Sequence, residues 1–177
     1  MKLQLHIDTP EEGDPQSQIP PDSIKDVVRI RERTSELRKF FEDELPLFFP
    51  KADQYDEVEI SVSFVNSAEM RIINKDYRDM DEATDVLTFP LWDEGGEFIP
   101  SSALPGLLPL GDILICPEET ARKHDFPTAL EGLCLVLAHG FLHLLAWDHD
   151  TPEKEEDMWA RQDLLKTKLL DILKEAA

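Results

Sequence analysis

The sequence predicts an α+β fold, a small mixed β-sheet packed with helices around one buried central helix that carries three histidines. Three observations carry this reading. Val58, Ile60, Val62 and Phe64 alternate strictly with Glu59, Ser61 and Ser63, the period of a strand with one buried face. Between Leu133 and Leu145 apolar residues occupy nearly every side of a helix, so that helix is expected to be surrounded by protein. Strand-like and helix-like segments interleave without a regular βαβ repeat.

Taken in order, Leu3, Leu5 and Ile7 alternate with polar residues and predict a short first strand. The stretch from Thr9 to Pro21 is acidic, contains proline and glycine, and reads as a linker. From Ser23 to Leu45 the positions Ile24, Val27, Val28, Leu37, Phe41 and Leu45 recur at helical spacing, which predicts one amphipathic helix closed by Pro46. After the Val58–Phe64 strand, Ser67 is placed to cap a helix running to about Tyr77, with Glu69 favourable at its first turn. Val86 to Phe89 and Leu110 to Ile115 read as strands, and Trp92 to Pro109, with Gly95-Gly96, as a hairpin or irregular loop. Pro117 with Glu118-Glu119 starts a helix to about His124, and Thr128-x-x-Glu131 forms a capping box for the central helix. A last helix starts at Thr151-Pro152-Glu153, with Trp159, Leu164, Leu165, Leu169 and Ile172 as its apolar stripe.

At 177 residues the chain is expected to form a single domain over 1–177, interrupted only by the acidic linker near 9–21. MKLQLHIDTPEEGD lacks an apolar core of signal-peptide length, and the run from Leu133 to Leu145 is broken by His139, Gly140 and His143. Neither a leader nor a membrane span is expected, and the expected location is cytoplasmic. The formal net charge is -20, with 38 acidic against 18 basic residues, which argues against strong non-specific affinity for nucleic acid. Arg29, Arg31, Arg33, Arg38 and Lys39 gather in one segment, however, and leave room for a local basic face.

Three of the five histidines fall in HGFLHLLAWDH, from His139 to His149. His139 and His143 are four apart, so both imidazoles leave one helix face about one turn apart. His149 joins them only if the helix ends near Ala146 and the chain turns back through Trp147 and Asp148. Neutral imidazoles suit zinc, and three protein ligands leave a fourth position open, as in catalytic sites. A histidine on an apolar helix face is more often a core residue, but three at this spacing outweigh that reading. A closed structural site would need a fourth ligand, and Cys116 and Cys134 form no CxxC pair. The spacing is that of the zinc-protease pattern HExxHxxGxxH, with Gly140 in the glutamate slot. Without that general base peptide hydrolysis is disfavoured, and the glycine is expected to leave room beside the metal for a bulkier substrate. Asp148 either orients a ligand, accepts a proton or is an exposed turn carboxylate.

Upstream lie Asn74, Tyr77 and Arg78, then Thr84-Asp85-Val86-Leu87-Thr88-Phe89. With Gly111-Asp112-Ile113 and the histidine stretch, this segment resembles the YbeY family of bacterial endoribonucleases, in motif order from about Val58 to His149. The resemblance implies a zinc-dependent, single-strand-specific endoribonuclease acting in ribosomal RNA maturation and ribosome quality control, with one Zn2+ per chain. Its implied partners are single-stranded RNA, ribosomal RNA, and ribosomal particles or associated proteins. By position, His139, His143 and His149 match the metal ligands, and Arg78, with His139, the residues implicated in catalysis. From the residues alone, Arg78 would pair with Asp79 or Asp81; the motif match instead assigns it to charge developing on a phosphate. Thr84, Asp85 and Thr88 are expected to shape the cleft wall. Where the family usually has glycine this chain has Ala146, so a turn requiring positive φ there would cost on the order of 1 kcal/mol and bear directly on His149. Two other readings stand beside this one: a zinc metalloprotease-like hydrolase, and a non-catalytic ribosome-assembly factor with a structural metal.

Overall fold

A computed structural model describes residues 1–9, 19, 21–101, 106–123 and 125–174. Its elements are β1 (Lys2–Asp8), α1 (Pro21–Glu32), α2 (Thr34–Phe48), a short 3-10 turn (Pro50–Gln54), β2 (Glu57–Phe64), α3 (Ser67–Arg78), β3 (Val86–Pro90), β4 (Leu107–Ile115), α4 (Pro117–Lys123), α5 (Ala129–Leu144) and α6 (Pro152–Lys174). The sheet order is β1-β2-β4-β3. β2 runs parallel to both β1 and β4, and β3 pairs antiparallel with β4, so the sheet is mixed as expected. The residues of the linker between Thr9 and Pro21, apart from Ile19, lie outside the described residues.

The strict alternation of β2 does what its period requires: Val58, Ile60, Val62 and Phe64 are at most 4% exposed. On that face α2 and α5 complete the main core, with the Phe41 and Phe141 ring centroids 4.8 Å apart. A smaller cluster, Met70, Leu87 and Cys116, includes the buried apolar residue of α3. Facing Ile60 across the β2–β4 ladder, Gly111 sits at a register shift with φ +131. A Cβ on Gly111 would fall 2.1 Å from the Phe89 carbonyl oxygen, so the irregularity needs glycine.

Four local expectations are corrected. The helix expected from Ser23 to Leu45 is two helices, broken at Arg33 (φ -99, ψ 21). There the Thr34 hydroxyl donates to the Arg31 carbonyl at 2.6 Å, and the Arg33 N–H lies near both the Arg29 and Ile30 carbonyls, so local bonds replace the regular ladder. Pro46 does not close the segment. It lies inside α2, whose last turn is held by tertiary packing of Phe48 on Phe141 and Trp147 and by the Phe49 N–H donating to the Leu45 carbonyl. Asn66, not Ser67, caps α3 in a complete capping box with Glu69, while the Ser67 hydroxyl lies 2.6 Å from Glu118 and 2.9 Å from Glu119 of α4. On α6 the buried stripe is Met158, Leu165, Leu169 and Leu173; Trp159 and Leu164 are 53% and 50% exposed.

Other elements follow the sequence closely. Of the expected capping box one half forms: the Thr128 hydroxyl accepts the Glu131 N–H at 3.3 Å and starts α5, which packs against α4, α6, β3 and β4. Gly95 and Gly96, both at positive φ, turn a short hairpin bridged from Asp93 to Phe98. β4 begins at Leu107, three residues before the expected start. Among the described residues no helix is long and apolar enough to cross a membrane.

Candidate metal centre

The buried face of α5 fixes where its histidines stand. His139 and His143 sit one turn apart with ring centroids 4.4 Å apart and their Nε2 atoms 3.0 Å apart. The helix then stops in a Schellman motif: the Trp147 N–H donates to the Leu142 carbonyl (3.1 Å) and the Ala146 N–H to the His143 carbonyl (3.0 Å). This closure places Ala146 at φ 58, the left-handed conformation that alanine adopts at a cost. The reversed chain brings the His149 ring to 5.6 Å from His139 and 5.3 Å from His143. One nitrogen from each of the three histidines lies within 4.8 Å of the others, a group that could hold a metal ion.

Asp148 shapes this turn, its carboxylate accepting the His149 backbone N–H at 2.8 Å. Gln162, on α6, is a residue that sequence reasoning missed. Its amide oxygen lies 2.8 Å from His139 Nδ1; an amide oxygen only accepts, so Nδ1 carries the proton and Nε2 keeps its lone pair toward His143 and His149. The pairing is tertiary, and no spacing within α6 announces it. Burial, followed by the neighbouring His139 and His149, pushes the His143 pKa down to about 4, so its ring is neutral near pH 7. All three donors are nitrogen. At metal–nitrogen distances of about 2.0–2.1 Å a tetrahedral zinc site spaces its ligands by roughly 3.4 Å. The 3.0 Å His139–His143 gap opens slightly and His149, in a set within 4.8 Å, closes to meet that spacing, so the donor set fits the ion with small side-chain movements.

Gly140 corrects another expectation. It opens no space beside the histidines; it faces the sheet, where a Cβ would lie 2.7 Å from Ile113 Cγ2 and 3.2 Å from Thr88 Cγ2. The glycine lets α5 approach β3 and β4 closely, and no glutamate side chain fits there.

The histidines border a cleft of about 570 Å³ that Arg78 also lines. Arg78 ends α3, and the next residue, Asp79, turns the chain at φ 57. Of the two partners that sequence reasoning offered it, Asp81 instead binds Arg71 at 2.9 Å and Lys75 at 3.4 Å, and Asp79 forms no ion pair with it among the described residues. Among the described residues Arg78 forms no ion pair or hydrogen bond, leaving its guanidinium exposed to the cleft. Asn74, 1% exposed, holds the following loop by its side-chain amide donating to the Glu82 carbonyl at 2.8 Å, and its backbone carbonyl accepts the Met80 N–H at 3.4 Å. Tyr77 lays its ring 4.9 Å from that of Phe89, tying the end of α3 to β3. Thr84 and Asp85 form a wall, with Lys123 Nζ 2.8 Å from the Thr84 hydroxyl and 3.0 Å from the Asp85 carboxylate.

Neither cysteine reaches the cleft. Both are buried and free, and burial pushes both thiols up, Cys134 to about 12. In the basic segment, Arg29, Arg33 and Arg38 pair with Asp26, Glu36 and Glu42, which removes most of the basic face that their clustering suggested.

Comparison with known proteins gives concordant results. The family model described as Endoribonuclease YbeY matches residues 24–170. Proteins named Endoribonuclease YbeY from Staphylococcus aureus strains JH9 and Newman are each 40% identical over 126 residues, covering 67% of this chain and 79% of the relative. The solution structure of TM1509 from Thermotoga maritima shares the fold, with a TM-score of 0.57 at 23% identity over 95% of this chain and 90% of that one. On the family match and the identity to these relatives, the chain belongs to the YbeY family.

Proposed function

We propose that this protein is a zinc-dependent, single-strand-specific endoribonuclease that acts in ribosomal RNA maturation and ribosome quality control. The observation carrying the reading is the convergence, in one cleft, of three histidines and an arginine without a partner among the described residues, in a chain of this family. His139, His143 and His149 are the metal ligands, holding one zinc per chain. The ion would supply Lewis-acid stabilisation of charge at the scissile phosphate. Arg78 donates hydrogen bonds to the phosphate's non-bridging oxygens as their charge grows, a role that its planar fork serves better than a lysine point charge. Gln162 keeps His139 in the tautomer whose Nε2 faces the site. The protease reading loses ground because the position of its general base is packed against Ile113.

The net charge of -20 opposes free RNA, so recognition depends on ribosomal particles or associated proteins in the cytoplasm, with the whole chain acting as one domain. Free RNA should bind weakly, and ribosomal particles more tightly; equal affinity for both would contradict this. The direct test is cleavage of single-stranded against duplex RNA by the purified zinc-loaded protein and by His139→Ala, His143→Ala and Arg78→Ala. Loss of Arg78 should lower kcat by on the order of 10²-fold. Undiminished cleavage by all three variants would identify a contaminating nuclease. An inert, zinc-loaded wild type whose histidine variants merely melt earlier would favour the non-catalytic assembly factor.

A further inference from the structure

The cleft has two unlike walls. From α3, the loop that follows it and β3 come Arg78, Thr84 and Thr88; from α5 and α6 come Leu135, Val136 and Trp159. Trp159 is 53% exposed, with no ring contact or hydrogen bond among the described residues. The other two tryptophans are engaged: Trp92 donates to the Pro109 carbonyl, and Trp147 packs edge-on against Phe48. An indole left open to water forfeits the burial that most large aromatics gain, so its position on this wall calls for an occupant.

Trp159 stands three residues before Gln162, whose amide oxygen is 2.8 Å from His139. Residues three apart share a helix face and lie about 4.5 Å apart along the axis. Successive nucleotides in a stacked strand are spaced by about 3.4 Å, so the indole is placed for a nucleotide next to one held at the histidines. Charge points to the same occupant. Arg78 is the one lysine or arginine among the described cleft-lining residues, in a chain of net charge -20, so phosphate attraction supplies little of the affinity. Stacking on an aromatic face is insensitive to that charge and tolerates every base.

We propose that Trp159 is the stacking platform for an unpaired nucleobase flanking the scissile phosphate. The inference rests on the endoribonuclease reading and deepens it: a base inside a duplex has no free face to offer, so the indole helps to set the preference for single strands.

The test compares wild type, Trp159→Phe and Trp159→Ala, all zinc-loaded, at one salt concentration. Binding is read by fluorescence anisotropy of an end-labelled single-stranded 2′-deoxy oligonucleotide, which offers the same base faces, and cleavage with the matching RNA. Trp159→Ala should weaken binding and raise KM by roughly tenfold or more while kcat holds, and Trp159→Phe should recover most of both. An abasic site scanned along the oligonucleotide should, at one position, abolish the difference between wild type and Trp159→Ala. Failure of the oligonucleotide to bind wild type, equal binding by Trp159→Ala, or a Trp159→Phe variant as weak as alanine would overturn the proposal. Tight, Trp159-dependent binding by a wild type that cleaves no RNA would uphold the platform and refute the nuclease reading instead.

Discussion

Replacing Gly140 by alanine places a methyl group 2.7 Å from Ile113 Cγ2 and 3.2 Å from both Ile113 Cδ1 and Thr88 Cγ2. Carbon atoms in ordinary contact are about 3.5–4.0 Å apart, so the closest approach must open by about 1 Å. Interiors are close-packed, and either α5 lifts from the sheet or Ile113 leaves its rotamer, at a cost of about 1–3 kcal/mol. Alanine's better helix propensity offsets about 1 kcal/mol of this, for a net loss of about 0–2 kcal/mol. A urea unfolding curve should show a lower midpoint at unchanged slope. A double-mutant cycle separates the two contributions. Ile113→Ala removes the two obstructing isoleucine atoms and leaves only Thr88 Cγ2 at 3.2 Å, and in that background Gly140→Ala should stabilise by up to about 1 kcal/mol, a coupling of about 1–3 kcal/mol. Should Gly140→Ala raise the midpoint in the otherwise native chain, helix propensity alone would account for it and the close approach would not limit stability. Gly140→Glu, which restores the protease motif, should fail to fold stably because it also buries a carboxylate without a partner.

Three further outcomes follow from the site. Metal-free protein should lose stability as pH falls from about 6.5 toward about 4, because unfolded His143 takes up a proton that the folded, buried ring refuses; His143→Leu should flatten thermal stability over that window. Gln162→Ala frees the His139 ring and should weaken zinc affinity by about 10- to 100-fold in a competition titration, with the fold unchanged by circular dichroism. At φ 58, Ala146→Val puts a branched side chain in the left-handed region at a cost of about 1–3 kcal/mol; zinc affinity should fall with stability, since the same turn delivers His149, and Ala146→Gly should keep the affinity and raise stability by up to about 1 kcal/mol.

What the sequence made legible was what local chemistry decides. The period-two run of β2 predicts its own burial, the His139–His143 spacing predicts a shared face, and the requirement for a reversal before His149 predicts a helix end near Ala146; that Ala146 itself takes the left-handed conformation is seen only in the structure. The errors came where tertiary contacts decide. Pro46 stays helical because Phe48 packs on Phe141 and Trp147, and no property of residues 45–48 alone reveals those partners. Gly140 reads as a missing glutamate in one dimension and as a helix–sheet contact in three. Gln162 and Trp159 escaped for the same reason, since the face that α6 turns to the cleft depends on how it docks on α5.

The most direct test of the central claim is zinc-dependent cleavage of single-stranded RNA by protein stripped of metal and then titrated. The stripped protein should be inactive, and activity should rise with added zinc and level off at one ion per chain, with no such rise for His139→Ala, His143→Ala or His149→Ala. Cleavage by the stripped protein at the full rate, or a wild type that stays inert once one zinc per chain is bound, would contradict it.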